Sequence, residues 1–352
     1  MTCEKKVLVA PLNWGLGHAT RCIPIINALI KANYEPILAS DGNALVLLQK
    51  EFPLLKSYTL PSYNIKYSKS GQNLKFKLVL SIPSVIAAVK KEHALVAKII
   101  KKEAIVGSIS DNRFGVYNSN IPSVYITHQL TVLSGKTTGI TSKTHQKIIK
   151  NFNECWVPDI ENKPNYSENL GHLKTNDLNL KYLGVLSRFK PEKRTIKYNL
   201  LIVLSGPEPQ RTLLEEKLLL ELNNYQGKAL FGRGILENNK SLKVSKNIEI
   251  KNYLLTDTLE KALNESEIVI ARSGYSTIMD LAVLGKKAFF IPTPGQYEQE
   301  YLAKTLKEKL IAPYSNQQDF SIEKLNEIRN YTGFKKTSSN VDLNRFLLFE
   351  RK

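Results

Sequence analysis

The chain has 352 residues, 42% hydrophobic and 23% charged, which suits two soluble domains with a core each and excludes a disordered or fibrous protein. Fifty Lys and Arg against 32 Asp and Glu give a formal charge of +18. No zinc-finger spacing, RNP-type aromatic motif or helix-turn-helix signature accompanies that charge. Nucleic acid is therefore set aside in favour of a phosphorylated ligand, an anionic membrane face or a merely Lys-rich genome.

Three Cys without metal-ligand spacing argue against a disulfide framework. No signal-peptide core follows Met1, and no apolar run approaches the ~20 residues of a spanning helix, so the expectation is a cytoplasmic protein.

The predicted elements alternate from the start. Val7 to Leu12 reads as a strand, the Gly-rich Asn13–Arg21 as a loop and Ile23 to Ala32 as a helix. A strand at Tyr34–Ala39 and a helix at Asn43–Glu51 follow. Asn73 to Glu103 has a helical pattern, with a break expected near Pro83. Strands are expected at Ala104–Ser110, Ser123–Thr127 and Cys155–Val157, with a helix over 142–152. This is the doubly wound pattern of a parallel sheet, an α/β domain over 1–160.

Polar residues with Pro, Gly and Asn over 161–184 read as an interdomain linker. A second series of β/α units fills 185–336. It has strands at Leu200–Leu204, Lys228–Phe231, Ile248–Ile250, Ile268–Ile270 and Ala288–Ile291, with helices at Arg211–Leu222 and Thr258–Leu263 between them. Residues 337–352 read as a tail helix.

Chemistry collects where strands end. In a doubly wound sheet ligands bind outside the carboxyl ends of the strands, which here carry Gly15, Gly17 and His18, then Asp111 and Arg113, then His128 and Gln129. His18 at the start of a helix suits a general base; Asp111 or His128 could orient it or replace it. Gly15-x-Gly17 also resembles half of a dinucleotide fingerprint, with Asp41 as a ribose-binding acid, but Thr20 stands where the third small residue belongs. An NAD-dependent dehydrogenase is the competing reading.

In the second half, Arg272-Ser273-Gly274 ends a strand and opens a helix whose free N–H groups suit a phosphate. Asp280 lies two turns into that helix, placed to accept from hydroxyls, and Gln296, Gln299 and Glu300 follow the next strand. Ser205-Gly206 and Arg233 end two other strands. Gly285 closes the Asp280 helix as a left-handed C-terminal residue would.

The stretch from Ile268 to Tyr301, with the loop ending in Gly17-His18, resembles the GT-B glycosyltransferases, and among them the family 28-like UDP-N-acetylglucosamine transferases of peptidoglycan lipid II synthesis. The resemblance implies two Rossmann-like domains facing a cleft, with the acceptor on the first and the nucleotide-sugar on the second. It implies transfer of an N-acetylhexosamine from a UDP-sugar to a hydroxyl with inversion, without a metal or other cofactor, and no Asp-x-Asp motif occurs in the chain. It assigns the ribose to Asp280 and the sugar to Gln299 and Glu300. Ser205 and Gly206 would embrace the diphosphate, Arg188 would meet the phosphates, and the backbone at Leu254 and Leu255 would read the base. Asn13 and Trp14 replace small residues of the family's first loop, and Glu300 stands where the family has Gln.

A UDP-sugar hydrolase of the pseudaminic-acid type keeps the same fold with water as acceptor. The basic 74–102 region, where apolar residues alternate with Lys75, Lys77, Lys90, Lys91, Lys98, Lys101 and Lys102, would suit peripheral contact with an anionic membrane and a lipid-linked acceptor.

Overall fold

The computed structural model describes residues 5–63, 74–235 and 245–350, with residues 74–82 described by their backbone alone. The side chains of Lys75 and Lys77 thus lie outside the described residues.

The chain divides into two compact units. One runs through Leu186 and takes in Ser339–Lys352; the other contains Ser187–Ser338.

The first unit is built on a seven-stranded sheet. Its elements are β1 (Lys5–Pro11), α1 (Gly17–Lys31), β2 (Tyr34–Ser40), α2 (Gly42–Glu51), β3 (Ser57–Thr59), α3 (Leu74–Glu103), β4 (Ile105–Asp111), β5 (Ser123–Ile126), α4 (Thr138–Ile149), β6 (Glu154–Val157) and β7 (Leu180–Tyr182). The order is β3-β2-β1-β4-β5-β6-β7, with every neighbouring pair parallel. Parallel strands need crossovers, and helices on both faces bury both sides of the central strands. The apolar run VLVA of β1 and the mixed run IVGSIS of β4 are accordingly buried at nearly every position. Leu8, Ile37, Val96, Ile99 and Ile105 form one of the resulting cores, each such side chain contributing about 1.5–3 kcal/mol of burial.

The second unit repeats the plan with five parallel strands. Its elements are β8 (Tyr198–Val203), α5 (Gln210–Leu222), β9 (Ala229–Gly232), β10 (Ile248–Lys251), α6 (Thr256–Asn264), β11 (Ser266–Ala271), α7 (Tyr275–Leu284), β12 (Lys287–Phe290) and α8 (Tyr297–Glu308). The order is β10-β9-β8-β11-β12. Leu200, Ile202, Leu214, Phe231, Ile270 and Phe289 pack at its centre.

Four features differ from the reading of the sequence. α3 runs unbroken through Pro83, because a proline deletes one backbone hydrogen bond and bends a helix without having to end it. The short strand β3 escapes a pattern search, since three half-exposed residues carry no period. The segment 161–184 contains β7, which pairs with β6 through Cys155↔Leu180 and extends the first sheet. The tail is 3-10 helical over Leu343–Glu350 rather than α-helical. Its Phe346 and Phe349 are buried; Phe349 lies where a side chain at Gly107 of β4 would be, and Tyr34 donates to the Phe346 carbonyl at 3.0 Å.

Each sheet has one place where neighbouring strands send their crossovers in opposite directions. In the first it lies between β1 and β4, in the second between β8 and β11. The loops splay apart there and leave a crevice at the carboxyl ends.

Candidate active site

At the first crevice, β1 leads through the loop containing Gly15 to α1, whose second residue is His18. Gly15 takes φ +85, a left-handed turn that only glycine makes without strain. β4 ends in Asp111, and the two side chains meet: His18 Nδ1 is 2.7 Å from Asp111 Oδ1. A nitrogen that close to a carboxylate oxygen carries the proton between them, so Nδ1 donates and Nε2 keeps its lone pair. The His18 side chain is 18% exposed while that of Asp111 is fully buried, the arrangement of a base open to a reactant and a hidden group that orients it.

Arg21, one turn on in α1 and on its buried face, closes the cluster. Its Nε donates to Asp111 Oδ2 at 2.7 Å and its Nη2 to Oδ1 at 2.5 Å. Its Nη1 is 3.0 Å from His128 Nδ1; guanidinium is donor-only, so that nitrogen of His128 accepts and the ring proton sits on Nε2. Burial pushes the Asp111 carboxyl upward, but the charge of Arg21 and the hydrogen bonds from His18 and Arg21 more than offset it and hold the group well below the ordinary carboxylate range. Asn112, at φ +60, donates to Asp111 Oδ1 at 3.1 Å. Behind it, Tyr125 lies 3.2 Å from Asn112 Oδ1 and 2.9 Å from His145 Nε2. Burial lowers His145 to about 4, so it stays neutral and serves as a fixed hydrogen-bonding post.

Three residues expected at this rim, Arg113, Asn13 and Asp41, work inside the fold. Arg113 is fully buried, donating to Glu92 at 2.5 Å, to Asp41 at 2.6 Å and to the Pro61 carbonyl at 2.6 Å. Asn13 ties the loop down: it donates to Asp41 Oδ2 at 3.2 Å and accepts from the Ala44 N–H. Asp41 is thereby committed to Arg113 and Asn13, which leaves the dehydrogenase reading without its ribose acid. The main-chain carbonyl of Gln129 accepts from His145 Nδ1 at 3.0 Å. Trp14 is 39% exposed beside the His18 loop.

The second crevice is made differently. β8 runs into Ser205-Gly206, with Gly206 at φ +113, and β11 runs through Arg272-Ser273 into Gly274, the N-cap of α7. Nothing lies within 4 Å of where a Gly274 side chain would be, so the backbone is open to close approach at the start of α7. Asp280 accepts from Ser187 Oγ at 2.6 Å, and its carboxyl is pushed up to about 6 by burial, opposed by the charge of Arg188 and by that hydrogen bond. The Arg188 guanidinium lies 4.8 Å from the centre of the Phe189 ring.

Gln299 is buried, accepting from the Thr293 N–H at 2.8 Å, while Ser273 Oγ donates to the Gln299 carbonyl at 2.7 Å. These bonds lock the starts of α7 and α8 together. Glu300 accepts from the Gly295 N–H at 2.9 Å, and Gln296 is the N-cap of α8. Leu254 packs against Gly232, and the exposed Leu255 is the N-cap of α6.

Two arginines expected to face a ligand from their strand ends do other work. Arg272 is 1% exposed and donates to the carbonyls of Ile291, Pro292 and Gln210 and to Gln317 Oε1, at 2.7–3.0 Å. Arg233 donates to Glu215 Oε1 at 2.5 Å and to Asn252 Oδ1 at 2.9 Å. Both brace strand ends from within.

Residues 205–338, which hold this second crevice, match the model of the glycosyltransferase family 28 C-terminal domain. The chain is a glycosyltransferase of GT-B architecture. It is 25% identical over 343 residues to the UDP-N-acetylglucosamine--N-acetylmuramyl-(pentapeptide) pyrophosphoryl-undecaprenol N-acetylglucosamine transferase of Haemophilus ducreyi, covering 92% of this chain and 88% of the relative. The protein of the same name from Rickettsia bellii is 32% identical over 126 residues, 34% of each chain. Among solved structures, the MurG of Acinetobacter baumannii superposes with a TM-score of 0.58 at 13% identity, over 98% of both chains. The spinosyn rhamnosyltransferase SpnG superposes at 0.63 and 14%, over 98% of this chain and 100% of that one.

In the glycosyltransferase, then, the first crevice joins His18, Asp111 and, through Arg21, His128. Arg21 and Ser187 take part without having been singled out from the sequence. Arg21 had a signal, since three residues after His18 puts it on the same helical face. Ser187 had none, because its contact with Asp280 spans 93 residues. Among the described residues no group of His, Cys, Asp and Glu could hold a metal, and no helix is long and apolar enough to cross a membrane.

Proposed function

We propose that the enzyme transfers N-acetylglucosamine from its UDP conjugate to a hydroxyl of a lipid-linked acceptor, inverting the anomeric centre. The observation that carries this reading is the His18–Asp111 pair, its imidazole partly exposed and its carboxylate buried, in a chain whose other unit matches a family 28 domain. His18 Nε2 takes the acceptor's proton as the oxygen attacks the anomeric carbon. The bond from that carbon to UDP breaks, and the diphosphate leaves with the electron pair. Asp111 stabilises the imidazolium that forms.

On the donor side, the N–H groups at the start of α7 and the Ser205-Gly206 loop suit the diphosphate, a departure assisted by oriented dipoles without a metal. Arg188 adds positive charge beside Asp280, the proposed acceptor of the ribose hydroxyls. Gln299 and Glu300 accept backbone hydrogen bonds that shape the loop after β12, which supports a sugar-facing role for that loop. Lys90, Lys91, Lys98, Lys101 and Lys102 are exposed along α3, and so is the apolar Ile86 one turn before Lys90, which supports peripheral contact with an anionic membrane.

The test is to follow UDP release and lipid-linked product from UDP-N-acetylglucosamine, with and without acceptor and chelator. Acceptor-dependent transfer that survives chelation is expected. Equal UDP release without acceptor would make the enzyme a hydrolase and sink the proposal.

A further inference from the structure

His18 faces an unusual electrostatic setting. In a familiar nucleophile–histidine–carboxylate triad the buried carboxylate has hydrogen bonds but no cation against it, and it stabilises the imidazolium fully. Here both oxygens of Asp111 already hold the fork of Arg21, at 2.7 and 2.5 Å, and Arg21 is itself 3% exposed. The same guanidinium approaches His18 Nδ1 to 3.0 Å and fixes His128 through Nη1.

The other groups around the imidazole leave this balance unchanged. From β4 come Asp111 and the neutral amide of Asn112, 3.5 Å from Nδ1. From α1 comes Cys22, whose thiol burial pushes up and so keeps uncharged. The loop after β5 gives His128, accepting at Nδ1. Toward α2, Asp41 is paired with Arg113 at 2.6 Å. What remains is one anion and one cation, locked together.

We propose that Arg21 is a positioning residue that keeps His18 in its base form. By occupying the carboxylate that would otherwise hold a proton on the imidazole, it leaves Asp111 able to orient the ring without charging it. The role rests on the reading of His18 as the base. An opposite charge within 4–6 Å moves a proton equilibrium by about 1–3 logarithmic units, so removing Arg21 exposes His18 to the full pull of Asp111.

The experiment compares wild type, Arg21→Met and Arg21→Lys. Labelled-histidine NMR follows His18, assigned among the five histidines by the His18→Gln spectrum, and kcat/KM is measured against pH. In Arg21→Met the proton affinity of His18 should rise about tenfold or more. The acid limb of kcat/KM should move up with it, and the rate should recover in alkali. Arg21→Lys, which keeps the charge, should stay near wild type.

An unmoved His18 titration in folded Arg21→Met, or a rate depressed equally at every pH, overturns the proposal. A titration that moves under a rate profile that does not would retain the coupling of Arg21 to His18 and remove His18 as the base. The wild-type nitrogen shifts give a check that needs no variant to fold. His128 should carry its proton on Nε2, and a proton on Nδ1 would overturn the bracing role.

Discussion

Between β1 and β4 the fold gathers charge; between β8 and β11 it gathers backbone. The first crevice fixes His18, Asp111, Arg21 and His128 through contacts of 2.5–3.0 Å. The second presents Ser205, Gly206, Ser273 and Gly274 around the N-terminus of α7. Topology is the same in both, so the difference follows from the chemistry each end supports. A proton transfer needs side chains held in one tautomer, and a buried ion pair does that well. A diphosphate needs close approach and several N–H donors, which small residues at a helix start supply.

The largest effects should come from breaking the charged crevice. His18→Ala should lower kcat by about 10²–10⁴-fold and leave the Kd for UDP within about twofold, read from initial rates and calorimetry. An intact rate would move the proton transfer elsewhere.

Next in size, Arg272→Ala separates a brace from a phosphate ligand. It deprives three buried carbonyls of their donor and should destabilise the fold by about 3 kcal/mol or more in denaturant unfolding. A variant of wild-type stability that binds UDP poorly would restore Arg272 to the ligand.

A milder effect should follow pH at the second crevice. Asp280 is raised to about 6 by burial, and a carboxylate accepts ribose hydroxyls best when ionised. UDP affinity should therefore weaken as pH falls through about 6, and Asp280→Asn should abolish that dependence. The sign for stability is opposite: a carboxyl raised in the folded state favours folding below its unfolded value, and that contribution is lost as pH rises through about 6. The unliganded protein should thus gain from Asp280 in mild acid while its ligand binding declines.

The smallest effect is the most local. Gly274→Ala meets no atom within 4 Å and sits at φ −70, so it should leave the melting temperature nearly unchanged and disturb only ligand approach.

Much of this could be read from the chain because it is periodic. Apolar runs such as VLVA and IVI mark buried parallel strands, and the polar residues that end them mark the rim. Gly285 ends α7 at φ +66 as its position suggests. The side-chain partners could not be read in the same way. An arginine at a strand end looks alike whether it faces a ligand or, as with Arg113 and Arg272, turns inward to satisfy carboxylates and carbonyls. Sequence spacing places Arg21 on the face of His18 but says nothing of Asp111, 90 residues away. The strand β7 also stayed hidden, since three half-buried residues owe their conformation to β6 rather than to any pattern of their own.

The division of labour between the crevices is tested most directly by measuring the Kd for UDP and kcat at saturating donor in His18→Ala and Asp280→Asn side by side. The account predicts that the first variant loses turnover and keeps UDP, and that the second loses UDP affinity about tenfold or more and keeps most of its turnover at saturation. Loss of UDP binding in His18→Ala with turnover retained, or the reverse pattern in Asp280→Asn, would contradict it.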